Sequence, residues 1–302
     1  MSRLRPRVLA RGGQEHGMPV STSLDTATAF ATRGLRHARV DAGNEGAAQR
    51  RFRGVGRLHG NAVRRASAAA KLAIWAVPVF MALGLTARLL TYPLQKDEHL
   101  FVSVAALLGH GNLYLDLGYN HLPNLPLLLG GLYVLTGTEH YLLVGRLLML
   151  GFWALSVLAL WLLARKLQIG LPGFLTGVTL LLGNTLLLGT PGMLVSNNLP
   201  PIPLILLAFY FLLGAMRPEA TSPWLAAAAG LCASLAIGMK ANYVFIAPIF
   251  AAATLLAPSA RRLPERITGA LLPLAAGGLA GGLPALFYLL SDPDLFFAHT
   301  LT

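Results

Sequence analysis

Apolar residues along this chain gather into long unbroken runs instead of one-sided stripes, and short polar or basic intervals separate the runs. A helix needs about 20 mostly apolar residues to cross a bilayer. By that ruler the runs predict spans at roughly 71–90, 141–164, 171–190, 199–216, 223–239, 241–257 and 267–291. The expected fold is all-α, a polytopic membrane bundle of about seven transmembrane helices. Asn124 to Thr136, NLPLLLGGLYVLT, is apolar but short and carries two Gly and a Pro. Basic residues decide its place, because short cytoplasmic loops hold the excess Lys and Arg. If it crossed, Arg165, Lys166, Arg217, Arg261, Arg262 and Arg266 would lie opposite the basic N-terminal segment. If it lies in the interface or is re-entrant, they all join that segment, and Lys96 and Lys240 remain as outer exceptions. The second arrangement is expected. It places 91–140, 191–198, the Met239–Lys240 junction and 292–302 on the outer face.

Composition agrees with this class: 55% of residues are hydrophobic and 12% charged, unlike an ordinary soluble domain. The formal charge of +12 invites a nucleic-acid reading, but fourteen of the 24 Lys and Arg residues lie in the first 71 positions. The charge therefore belongs to a tail, and no nucleic-acid partner is expected. Segment 1–70 reads as a disordered, basic, cytoplasmic tail, with Arg50 to Arg65 attracted to anionic headgroups. It has no apolar h-region of a signal peptide, although an organellar presequence would share its Arg-rich, acid-poor character. Cys232 stands alone, which predicts no internal disulfide and no cysteine-based metal site.

The outer segments hold the candidate chemistry. Phe101, Val104, Ala105 and Leu108 follow i, i+3, i+4, i+7 spacing and predict an amphipathic helix along the membrane surface. Asp97 and Glu98 stand at its start, where the helix dipole favours carboxylates, so a simple N-terminal cap accounts for them as well as a catalytic role does. Arg88, Arg146 and Lys240 fall within or at the ends of apolar runs. A charge in hydrocarbon costs about 2.5–3.5 kcal/mol even on the lenient scale, which makes such residues functional candidates. Snorkelling to headgroups explains Arg88 and Lys240 equally well, and Arg146 less easily. Three cations on one face beside a carboxylate pair describe a site for an anionic lipid headgroup next to a general base.

The stretch KDEHLFVSVAALLGHGNLYLDLGYNHLPNLPLLLGGLYVLTG resembles the first outer loop of GT-C membrane glycosyltransferases. The likeness is to family 39, with the protein O-mannosyltransferases and the lipid A aminoarabinose transferase. The resemblance rests on Asp97-Glu98, on Gly111-Asn112-Leu113-Tyr114-Leu115-Asp116, and on Asn120-His121-Leu122-Pro123. Arg146 in the next span and GLCASLAIGMKANYVFIAP, which contains Lys240, are similar to the family pattern too. It covers about 71–300, the family's seven-span module with its outer loop 91–140. Where many relatives carry an acid before the fourth span, this chain has Asn197 and Asn198, which hydrogen-bond but are not bases at neutral pH. Relatives usually continue with further spans, so the resemblance implies a truncated member.

The resemblance implies transfer of a sugar, with inversion, from a polyprenyl-phosphate carrier to a lipid, glycan or protein acceptor on the outer face of a bacterial plasma membrane. Asp97 would be the general base and Glu98 its catalytic companion. Lys240, Arg88 and Arg146 would stabilise the leaving phosphate, and Asp116, Tyr119, Asn120, His121, Asn197 and Asn198 would contact sugar or acceptor. No cofactor is required by this scheme, and a divalent metal is compatible with it. His121 as a metal ligand lacks the several converging partners that such a site needs. The competing class is a non-catalytic membrane protein: a lipid-phosphate scaffold, a transporter, or an inactive partner of a full-length transferase. No internal repeat of the transporter kind is seen. Asn184 reads as a polar group that satisfies a neighbouring helix, and AAGGLAGGLPALF as a close helix-packing face.

Overall fold

A computed structural model describes residues 74–217, 222–256 and 262–300. The expectation for the basic tail 1–70 lies outside the described residues. Within them every regular element is helical: α1 (Ile74–Thr91), α2 (Lys96–Leu107), α3 (Asn124–Thr136), α4 (Tyr141–Lys166), α5 (Leu171–Leu182) and the single turn α6 (Thr190–Met193). Next come α7 (Pro201–Ala215), α8 (Pro223–Met239), a 3₁₀ turn (Ala241–Tyr243) and α9 (Ile246–Leu256). Last are α10 (Leu263–Arg266), a π turn (Ile267–Leu271), α11 (Leu272–Ser291) and α12 (Pro293–Thr300).

Among the described residues three helices are long and apolar enough to cross a membrane: α1, α4, and the continuous run Leu263–Ser291. Large apolar side chains such as Phe80, Leu180, Trp224 and Phe287 point outward. Such a surface suits hydrocarbon better than water. The other expected spans form shorter apolar helices, and local chemistry explains why. The run 171–190 stops at Leu182 because Asn184 Oδ1 accepts the backbone N–H groups of Leu186 and Leu187 at 3.0 and 3.1 Å, which turns the chain. Asn184 thus serves its own backbone and not a neighbouring helix. α7 starts only after Pro200, at a proline-rich entry. Lys240, with φ −150° and ψ 118°, is extended and separates α8 from the following 3₁₀ turn.

α3 is 13 residues long. At 1.5 Å per residue it reaches about 20 Å, well short of the ~30 Å hydrocarbon core. Gly137, at φ 58°, ends it and donates its N–H to the Tyr133 carbonyl. On α2, Phe101, Val104 and Ala105 are buried as their spacing predicts. That face rests on α3, where a Cβ at Gly130 would come within 2.6 Å of Leu108 Cδ1.

The glycine-rich run in α11 is a packing face. A Cβ at Gly281 would lie 2.7 Å from the Leu231 carbonyl oxygen, and one at Gly277 would overlap the Ala227 carbonyl. On α8, a Cβ at Gly230 would overlap the Leu274 carbonyl in turn. Backbone meets backbone here, so no flexible side chain can give way. Gly230→Ala is therefore expected to lower stability by about 1–3 kcal/mol through overpacking, read as a reduced Tm in detergent; an unchanged Tm would contradict this α8–α11 contact.

Candidate functional site

Two clusters, distinct in character, occupy the end of the bundle where α1 finishes and α4 begins. The first is a buried ion pair. Glu98, on the buried face of α2, is inaccessible to solvent, and Arg146 is 6% exposed. Arg146 Nε and Nη2 donate to the two carboxylate oxygens at 3.1 and 2.8 Å. Its Nη1 donates to the Leu90 carbonyl at 3.0 Å, and Nη2 also donates to the Tyr92 carbonyl at 2.8 Å. Glu98 Oε1 accepts a further bond from the Val195 backbone N–H at 3.2 Å. The end of α1, the start of α2, α4 and the 194–200 segment are tied at one point. Glu98 and Arg146 therefore hold the framework, and neither lines the polar cavity of the second cluster. The Glu98 oxygens accept from Arg146 and Val195 and not from the first turn of α2, so Glu98 is not a simple cap.

The second cluster is an open polar cavity of about 450 Å³. Asp97 from α2, His121 from the loop before α3, Asn197 and Asn198 from the 194–200 segment, and Lys240 from the end of α8 all line it. Lys240 Nζ donates to Asn198 Oδ1. Leu100, Phe101 and Leu122 supply an apolar wall. The His121 ring stacks on Phe101, with centroids 5.5 Å apart and planes 11° from parallel. Burial lowers the His121 pKa, the positive Lys240 lowers it further, and Asp97 opposes them. The imidazole is thus neutral at pH 7.

That shift has a sign. A histidine whose pKa falls on folding binds fewer protons folded than unfolded, so stability drops as pH falls below about 6.5. The loss is complete once pH is below the folded value. His121→Gln is expected to flatten the decline of Tm across this window; a variant with the wild-type slope would contradict a neutral, half-buried imidazole.

The remaining expected contacts lie outside the cavity. Asp116 shapes a turn: its Oδ2 accepts the Asn112 backbone N–H at 2.6 Å, while Asn112 Oδ1 accepts those of Tyr114 and Leu115. Gly111 makes room for it, since a Cβ there would lie 2.8 Å from Asp116 Cβ. Tyr119 has no exposed surface, and burial pushes its hydroxyl pKa well above the ordinary range. Its ring meets those of Phe101 and His121 edge-on at 6.1 and 5.8 Å, so it supports the wall from behind. Asn120 is exposed beside it. Arg88 is exposed on α1 with its guanidinium 5.6 Å from the Tyr92 ring centroid, away from the cavity lining. Asp116, Tyr119, Asn120 and Arg88 are thus not among the residues that line the cavity.

Two polar lining residues escaped sequence reasoning. Asn242 lies two positions beyond Lys240 in the 3₁₀ turn, and Thr300 comes from α12. α12 reaches the cavity because Tyr114 packs edge-on against Tyr288 and Phe296, at 5.2 and 5.7 Å. Among the described residues no three His, Cys, Asp or Glu side chains converge to hold a metal.

Comparison of the chain with protein-family models, with curated proteins and with solved structures gives no match.

Proposed function

We propose that the protein is a membrane glycosyltransferase of the GT-C kind, moving a sugar from a polyprenyl-phosphate carrier to an acceptor hydroxyl with inversion at the anomeric carbon. The observation that carries the reading is the meeting of Asp97 and Lys240 in one cavity, a carboxylate and a cation delivered by separate helices. In this scheme the acceptor oxygen attacks C1 as its proton passes to Asp97, and the bond from C1 to the phosphate oxygen breaks. The phosphate leaves as an anion beside Lys240, whose ammonium Asn198 orients. Neutral His121, Asn197, Asn242 and Thr300 offer hydrogen bonds to sugar or acceptor, and the Phe101 wall accommodates an apolar ring face. Glu98 and Arg146 act through position: the pair fixes the neighbour of Asp97 and, through Val195, the segment that carries Asn197 and Asn198.

The same reading takes the bundle as seven spans in a bacterial plasma membrane, with the cavity on the outer face and α3 lying in the interface. The shorter helices would cross with the help of the irregular segments that continue them, which are tolerated where protein surrounds them. The test is release of polyprenyl phosphate from supplied polyprenyl-phosphate sugars by membranes containing the protein. Protein-dependent release supports the transferase. Retained lipid without release for any sugar would favour the second reading, a lipid-phosphate scaffold, which Asn197 and Asn198 standing where a second acid is expected would suit.

A further inference from the structure

Away from the polar cavity, α1, α4 and α5 enclose an open groove of about 240 Å³. Trp75, Ala82, Trp153, Ala154, Phe174 and Val178 are among its walls, and Thr86 is the one residue in the lining that is not apolar. The polar atoms there are already used: Thr86 Oγ1 donates to the Ala82 carbonyl at 2.8 Å, and Trp153 Nε1 to the Gly192 carbonyl at 2.9 Å. Such a groove offers an occupant no hydrogen bond and takes only hydrocarbon. From Trp75 to Thr86 it follows α1 for about 16 Å at 1.5 Å per residue, roughly half the ~30 Å hydrocarbon core.

Its charged end identifies the occupant. Trp161 stands on the groove face of α4, four residues after Val157 and seven after Ala154. One turn further, the exposed Arg165 guanidinium lies 5.1 Å from the Trp161 ring centroid. Trp75 is at the corresponding end of α1, and tryptophans favour the headgroup level. Arg165 is about 28 Å along α4 from Arg146 at 1.5 Å per residue, so it faces the opposite leaflet from the polar cavity. A carrier whose phosphate must reach Lys240 cannot place that phosphate here. We infer that the α1–α4–α5 groove is a binding site for one acyl chain of an anionic phospholipid from the Arg165 leaflet, with its phosphate on Arg165. This requires only that the bundle sits in a bilayer and is independent of the transferase reading. The groove also touches the other site: Gly192, bonded to the groove residue Trp153, precedes Val195 and the asparagines by a few residues.

The test uses the full chain with Trp224→Phe, so that fluorescence comes from Trp75 and Trp153 in the groove wall and from Trp161 beside Arg165. It is reconstituted in phosphatidylcholine vesicles holding a minor fraction of phosphatidylglycerol, with acyl-chain bromine placed on one lipid or the other. Bromine on phosphatidylglycerol is expected to quench about fivefold more per mole than bromine on phosphatidylcholine, the preference one cation near the surface confers. Arg165→Gln should abolish that preference, and Ala154→Phe, which fills the groove, should reduce it. Equal quenching by both lipids in the parent protein, or a preference that survives both substitutions, would overturn the proposal. So would relief of quenching by unlabelled polyprenyl phosphate but not by unlabelled phosphatidylglycerol, since the occupant would then be the carrier.

Discussion

Asp97→Asn is expected to slow sugar transfer by about 10²–10⁴-fold, the usual contribution of a positioned general base, while leaving retention of polyprenyl phosphate intact. Asparagine keeps the shape and a hydrogen bond but cannot take the acceptor proton. Asp97 is exposed on the first turn of α2 and makes no part of the buried ion pair, so the substitution leaves the framework whole. Transfer rates in washed membranes, with polyprenyl-phosphate sugar in excess, read the effect. A variant as fast as wild type would remove Asp97 from the chemistry.

The neighbouring carboxylate should behave in the opposite way. Arg146→Met leaves Glu98 buried against Val195 with no cation, and breaking a buried pair in this manner costs about 3–5 kcal/mol. The Leu90 and Tyr92 carbonyls lose their donors in the same step. The expected result is loss of folded protein from detergent extracts, with transfer activity falling in proportion to folded protein. The double variant Glu98→Leu with Arg146→Met removes both charges, and its Tm should recover a substantial part of the loss, because the cost lies in the uncompensated charge. If the single variant kept its Tm and lost only lipid-phosphate binding, Arg146 would be a ligand after all.

The difference between these adjacent acids was not legible in the sequence. Glu98 stands three residues before Phe101 and seven before Ala105, but Asp97 stands four before Phe101 and seven before Val104, so helical spacing puts both beside the apolar face of α2. Tertiary packing decides that Glu98 is the one buried. Its partner was not legible, because Arg146 lies 48 positions away and pairing over that distance depends on how α2 packs on α4. The Gly111–Asp116 pattern carries ordinary turn chemistry, with Asn and Asp side chains accepting nearby backbone N–H groups, and that reading accounts for Asp116 without a ligand. The apolar runs located the helices well. Their ends depended on local competition that hydropathy does not see, such as Asn184 bonding its own backbone and the extended Lys240. Asp97, His121, the two asparagines and Lys240, which line the cavity, are five of the eleven residues named from the sequence, while Thr300 became visible only through the packing of α12 on Tyr114.

The most direct measurement is native mass spectrometry of the gently purified full-length protein, with and without added polyprenyl phosphate, alongside Lys240→Ala. The account predicts retained polyprenyl phosphate or its sugar adduct in the wild type, lost in the variant, with the adduct mass identifying the donor sugar. No retention by wild type after adding polyprenyl phosphate, or equal retention by Lys240→Ala, would contradict it.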